Sequence, residues 1–133
     1  MKTSTKIPTI ILNGFLGSGK TTLFRNLLSQ SKKKNIPICA IVNDMSELDV
    51  DGELLGNTDV VEENKSILES IHSYVLSSSK GIKKLDQAII KLLLNQTPEL
   101  FIIETSGSCH PMPLVKYFKT HSQLKLTGLF NLV

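Results

Sequence analysis

The chain has 133 residues, 41% of them hydrophobic and 20% charged, with a formal net charge of +3. That length suits one compact domain rather than two, and the composition excludes a disordered or fibrous chain. No apolar run approaches the ~20 residues of a membrane span, and the start, MKTSTKIPTIIL, lacks the long apolar stretch and small-residue cleavage site of a secretion signal.

Three of the fifteen basic residues form the run Lys32-Lys33-Lys34. It falls where a helix is expected to end, so it reads as a complement to the helix dipole. No aromatics interleave the basic residues, and nucleic-acid binding is therefore not expected. The two cysteines, Cys39 and Cys109, make no disulfide framework and read as free thiols in a reducing compartment, the cytoplasm.

Along the chain, apolar runs alternate with segments of helical period. Residues 9–13 (TIILN) read as a buried strand, and Leu23, Phe24, Leu27 and Leu28 as the stripe of a helix that Asn35 and Pro37 stop. Residues 36–43 (IPICAIVN) read as a second buried strand, followed by a polar, acidic loop. Residues 64–79 stay open: Ile67, Leu68, Ile71, Tyr74 and Val75 fit a helix, whereas SYVLS alone fits a strand. Ile82, Leu85, Ile89, Leu92 and Leu93 mark another amphipathic helix, ended near Asn95 and Pro98. LFIIE is a third buried strand, MPLVKYF starts a further helix, and LTGLFNLV is a fourth strand. Such runs joined by helices predict an α/β, three-layer fold around a mostly parallel sheet. The whole chain, residues 1–133, reads as one domain. It stops at the end of an apolar strand, where a loop or helix would normally follow, so it reads as a part of a longer protein, incomplete at its C-terminus.

The most informative stretch is ILNGFLGSGKTTLF. Gly14, four residues, then Gly19-Lys20-Thr21 match the phosphate-loop pattern, with a strand before it and a helix after it, as the mechanism requires. Gly14, Gly17 and Gly19 allow backbone angles that turn successive N–H groups, with that of Ser18, into an anion-binding nest. The helix from Lys20 adds the positive end of its dipole. Lys20 is expected to reach the β- and γ-phosphates, the Thr21 hydroxyl to ligate Mg²⁺, and Thr22 to lie near the α-phosphate.

Mg²⁺ on a nucleotide usually takes a carboxylate from elsewhere in the chain. Glu104 is the candidate, at the carboxyl end of LFIIE, the edge where ligands bind in open α/β sheets. Gly107 follows, where a backbone N–H can approach a γ-phosphate. Asp44, Glu47, Asp49 and Asp51 crowd one loop after the second strand. They read either as metal or water ligands or as a solvated acidic loop.

With GFLGSGKTT, IVNDMSELDVDGELL and FIIETSGSCHPMPLV all in place, the chain resembles the CobW family of GTPases, relatives of the metallochaperone GTPases of urease and hydrogenase maturation. The resemblance covers residues 9–133 in family order. It implies a P-loop NTPase-like fold, GTP as ligand with Mg²⁺, and a client metalloprotein. It also implies that Glu104 does the Walker B work, and that Glu47 and Asp51 match the family's N-E-F-G-E-x-G-x-D segment. Asp44 there is shorter than the usual glutamate, and Ser46 and Asp49 replace glycines, which stiffens the loop.

The largest departure concerns metal. CobW-type proteins usually carry C-x-C-C before the helix that leads to the third strand. An ungapped count puts that slot on Leu76, Ser78 and Ser79, and no cysteine lies between Cys39 and Cys109. Serine hydroxyls are poor Zn²⁺ ligands at neutral pH, so the thiolate site is absent, and Ser78 and Ser79 read as helix caps instead. Adjacent Cys109 and His110 do not read as a metal pair, and His72 and His121 read as surface residues.

Two functions therefore stand side by side. One is Mg²⁺-dependent GTP hydrolysis, with Lys20 and Mg²⁺ on the phosphates and Glu47 or Asp51 orienting water. The other is a nucleotide-gated binding module without catalysis. A small ATP-using kinase ranks behind both, because no lid is evident. The family's N-K-x-D base-reading motif would follow the fourth strand, beyond Val133, so guanine preference is not legible.

Overall fold

The computed structural model describes residues 5–14, 20–44, 67–72, 74–105 and 110–132. In chain order the elements are β1 (Ile7–Gly14), α1 (Lys20–Lys33), β2 (Ile38–Asp44), β3 (Leu68–His72), α2 (Ser79–Asn95), β4 (Leu100–Thr105), α3 (Pro111–Lys119) and β5 (Leu124–Leu132). The apolar runs satisfy their backbone groups by pairing into one sheet, ordered β3, β2, β4, β1, β5, with every neighbouring pair parallel.

Alternation along each strand sends side chains to two faces. On one face Leu12, Ile38, Ala40, Val42, Leu68 and Ile102 pack beneath Leu28 of α1. On the other, Ile11, Cys39, Ile41, Phe101 and Ile103 pack beneath Leu85, Ile89 and Leu92 of α2 and Leu114 and Phe118 of α3. The result is the expected three-layer α/β arrangement. The direction of travel decides the face. From β1 the chain steps across the sheet one way to reach β2. From β3 to β4, and from β4 to β5, it steps back the other way. Crossovers of a single hand must then leave α1 on one face and α2 and α3 on the other.

Local chemistry sets the element ends. Asn35 takes a left-handed φ of 54° just past α1. The Ile36 N–H donates to the Ser31 carbonyl at 2.9 Å, and the Asn35 N–H to that of Lys32 at 3.3 Å. This is a Schellman ending, built on the residue type after glycine that best tolerates the conformation. Lys32 and Lys33 occupy the last turn of α1, as the dipole reading predicts.

Within the open segment, residues 64–79, the described residues form a strand and a turn. The strand is LESIH, paired to residues 40–44 of β2, and residues 74–78 belong to the turn and cap ahead of α2. Ser78 is the N-cap of α2: its Oγ accepts from the Gly81 N–H at 3.0 Å and donates to the Val75 carbonyl at 2.6 Å. Gly81 is required by space, because a Cβ there would sit 1.9 Å from the Val75 carbonyl oxygen. Cys39 is a buried free thiol, as expected. Burial pushes its pKa up, partly offset by a hydrogen bond from Gln96 Nε2 at 3.4 Å.

His121 departs from the surface reading. Its Nδ1 accepts from the backbone N–H groups of Gln123 and Leu124 at 3.0 and 3.1 Å, closing the turn from α3 into β5. The ring also packs edge-on against Tyr117, with centroids 5.4 Å apart. The Tyr117 hydroxyl donates to Asp86 Oδ1 at 2.6 Å, and burial and this carboxylate together raise the phenol's pKa well above its usual value.

Candidate functional site

In an all-parallel sheet every carboxyl end lies on one edge. Here Gly14, Asp44 and Thr105 end β1, β2 and β4 on that edge. β1 and β4 are neighbours, with Leu12 opposite Glu104 and Asn13 opposite Thr105. The chain leaves β1 for α1 on one face and leaves β4 for α3 on the other. The helices that follow these two neighbouring strands lie on opposite faces, which marks the topological switch point where open α/β sheets hold ligands.

Of the sequence-predicted residues, the backbones of Gly14, Lys20, Thr21 and Thr22, and Glu104, are described. Gly14 is the last residue of β1, and Lys20, Thr21 and Thr22 open the first turn of α1. That turn carries no acidic residue, so no carboxylate of its own occupies the positive end of the 14-residue helix. Glu104 lies on the α1 side of the sheet, beside Leu12 and Val42, and is only 2% exposed. A carboxylate is seldom buried so deeply unless it is paired or binds a cation. Gly17, Ser18, Gly19, Glu47, Asp49, Asp51, Gly107 and Cys109 lie outside the described residues.

Two polar residues to which the motif reading gave no role shape this edge. Asn43, 2% exposed, donates from Nδ2 to the carbonyls of Ile71 at 3.2 Å and Tyr74 at 2.8 Å. It pins the exit of β3 to the end of β2. Asn13 stands between Thr105 and Asn131 in a lateral row. Thr105 Oγ1 donates to Asn13 Oδ1 at 2.6 Å, and Asn13 Nδ2 donates to Asn131 Oδ1 at 3.0 Å. The visible signal for both was a polar side chain ending an apolar strand.

The slot counted for C-x-C-C holds other work. Leu76 is fully buried in the core, Ser78 caps α2, and Ser79 is that helix's first residue. The Ser77 hydroxyl beside them accepts from the His110 N–H at 3.3 Å. Among the described residues no group of three His, Cys, Asp or Glu side chains could hold a metal ion.

Strand order, the glycine-rich sequence after β1 and the buried carboxylate near the end of β4 define an α/β nucleotide-binding domain of the P-loop class. The chain matches the CobW/HypB/UreG nucleotide-binding domain over residues 8–133 and belongs to that family. It is similar to the zinc-regulated GTPase metalloprotein activator 1 of Dictyostelium discoideum, 34% identical over 119 residues, 85% of this chain and 25% of the relative. It is similar also to the zinc chaperone CobW of Pseudomonas aeruginosa, 34% identical over 124 residues, 90% of this chain and 32% of the relative. The zinc chaperone CobW of a Sinorhizobium species is 33% identical over 135 residues, 96% of this chain and 36% of the relative. The chain thus spans between a quarter and about a third of the length of these relatives. No solved structure matches it significantly.

Proposed function

We propose that residues 1–133 form a nucleotide-binding domain that takes GTP with Mg²⁺ and hydrolyses it, working in the reducing cytoplasm toward metallocentre assembly on a client metalloprotein. The observation that carries the reading is the buried Glu104 at the end of β4, one strand from the glycine-rich exit of β1 and the acid-free start of α1.

The donor chemistry fits Mg²⁺: a Thr21 hydroxyl and a Glu104 carboxylate are hard oxygen ligands. Held by these two residues, Mg²⁺ would supply charge neutralisation at the phosphates. Backbone N–H groups from Gly14 to Thr22, with that of Gly107, hold the phosphates, and the Lys20 ammonium reaches the β- and γ-oxygens. Glu47 or Asp51 orients the attacking water. A γ-phosphate orders the loop from Asp44 to Gly52, and its loss releases that loop.

The donor chemistry does not fit thiolate-held zinc. No cysteine lies between Cys39 and Cys109, and the aligned positions serve the core and a helix cap. A metal cargo would need other ligands. This absence favours a second reading, in which nucleotide gates a protein contact without turnover.

Phosphate release from GTP with Mg²⁺, with and without Zn²⁺, separates the two. Turnover that ignores Zn²⁺ and disappears in Lys20→Ala is the expected result. Tight GTP binding without phosphate release would favour the gated module. No binding of either purine triphosphate by the folded protein would end both readings.

A further inference from the structure

We infer that Asn13 is a positioning residue of the nucleotide site, the centre of a polar row that holds the phosphate-loop strand in fixed register with the Glu104 strand. The inference rests on the nucleotide reading above and adds to it roles for Asn13, Thr105 and Asn131, which that reading leaves without one. The row runs Thr105, Asn13, Asn131 across β4, β1 and β5, one residue from each, all opposite one another in the pairing. Its bonds are 2.6 and 3.0 Å. The Thr105 hydroxyl also lies 3.4 Å from the Leu12 carbonyl, so it faces the backbone of β1 as well as the Asn13 side chain.

The row depends on an irregularity in β5. Thr9 pairs with Leu126 but Ile10 pairs with Gly128, so Thr127 is an extra residue, its Oγ1 donating to the Thr9 carbonyl at 3.3 Å. Without that bulge the register would carry on by one, and Asn13 would face Phe130. A one-residue slip exchanges the two faces of a strand. With the bulge, Leu124 and Leu126 pack into the core before it, and Asn131 reaches Asn13 after it. The bulge serves both ends of the strand at once.

The geometry places the row where it sets the site. Gly14, the residue after Asn13, begins the phosphate loop. Glu104, the residue before Thr105, is on the opposite face of β4. Fixing Asn13 against Thr105 therefore fixes the distance between the two backbones that carry phosphate donors and the magnesium carboxylate. Asn13 touches neither ligand; it acts through Gly14 and Thr105. Loss of the row should weaken the part of nucleotide affinity that depends on Mg²⁺, because that part needs both backbones at once.

The test is a double-mutant cycle on the full chain, read by a fluorescent GTP analogue with Mg²⁺ and again in EDTA. Thr105→Val and Asn13→Ala are each expected to weaken Mg²⁺-dependent binding about tenfold, with the double variant no weaker than either single one. Binding in EDTA should change less than about twofold. Thr105→Ser, which keeps the donor, should restore binding, and Asn131→Ala, at the exposed end of the row, should cost about threefold. If Thr105→Val or Asn13→Ala does not fold, Thr105→Ser against Asn131→Ala carries the comparison. Additive losses, equal losses with and without Mg²⁺, or a Thr105→Ser variant that binds as wild type while Asn131→Ala also does, would overturn the inference. A wild-type chain that binds no triphosphate would overturn the nucleotide reading itself, and the inference with it.

Discussion

The two edges of the sheet are built from different materials. Among the described residues, three of the five buried polar side chains, Asn43, Glu104 and Thr105, lie at the carboxyl ends of strands. The amino edge instead has a cavity of about 600 Å³ with an apolar floor of Val115, Phe118 and Leu126 and a rim of Lys6, Lys119 and Lys125. Its order comes from backbone bonds, such as the Ile7 N–H to the Gln123 carbonyl at 2.8 Å, and from the His121 turn. Burying polar groups costs stability unless every one is bonded. Their concentration at one edge therefore marks the place where folding alone did not choose the residues.

The comparison can be broken most directly at Phe118. It is 2% exposed, under the amino-edge cavity. Phe118→Ala should cost about 3–5 kcal/mol in urea unfolding, while the nucleotide affinity of the folded protein stays unchanged. A parallel loss of affinity would show that the edges are not independent. Gly81→Ala should cost about 1–3 kcal/mol, seen as a lower melting temperature, because its methyl group meets the Val75 carbonyl. A neutral result would show that the turn ahead of α2 gives way.

His121 sharpens the contrast through pH. Burial lowers its pKa, Asp86 opposes that, and Lys6 adds to it. The folded ring thus binds its proton less readily than the unfolded one. The neutral ring's contribution is complete above the ordinary imidazole value, about 6.5, and is lost as pH falls from there toward the folded value. The urea midpoint should drop between pH 7 and pH 5, and drop less in His121→Gln; equal slopes would rule the turn out as the cause. The smallest effect belongs to a pair away from both edges. Lys91 Nζ meets Glu69 Oε1 at 2.8 Å, but the lysine side chain is 67% exposed. Lys91→Ala should change stability by no more than about 0.5 kcal/mol, and a larger loss would mean that the α2 flank matters more than its burial suggests.

Much of this was legible beforehand for a physical reason. LFIIE, IPICAIVN and TIILN are apolar on both faces, and only strands in the middle of a covered sheet read that way. The phosphate loop was legible because its chemistry is local, glycines and a lysine within one turn. β3 was not: LESIH is short, and Leu68 and Ile71 also suit a helical spacing. Only pairing with β2 decides between the two. The roles of Asn43, Asn13 and His121 were hidden as well. Asn43 acts on residues 28 and 31 positions away, and Asn13 on residues 92 and 118 away. The His121 bonds are local, yet they form only once β5 docks and aligns the turn's amides.

The strand order has a consequence for how the molecule is made. β1 and β2 come first, but they never touch, because β4 fills the place between them. A growing polypeptide has both strands that flank β4 long before β4, the piece that joins them, is translated. Until residue 105 leaves the ribosome, the glycine-rich loop hangs from a strand with no neighbour, and nascent chains arrested earlier should show unprotected β1 amides in hydrogen exchange. Competence to recognise a ligand would then appear late and all together, as the middle plank of the floor drops into place.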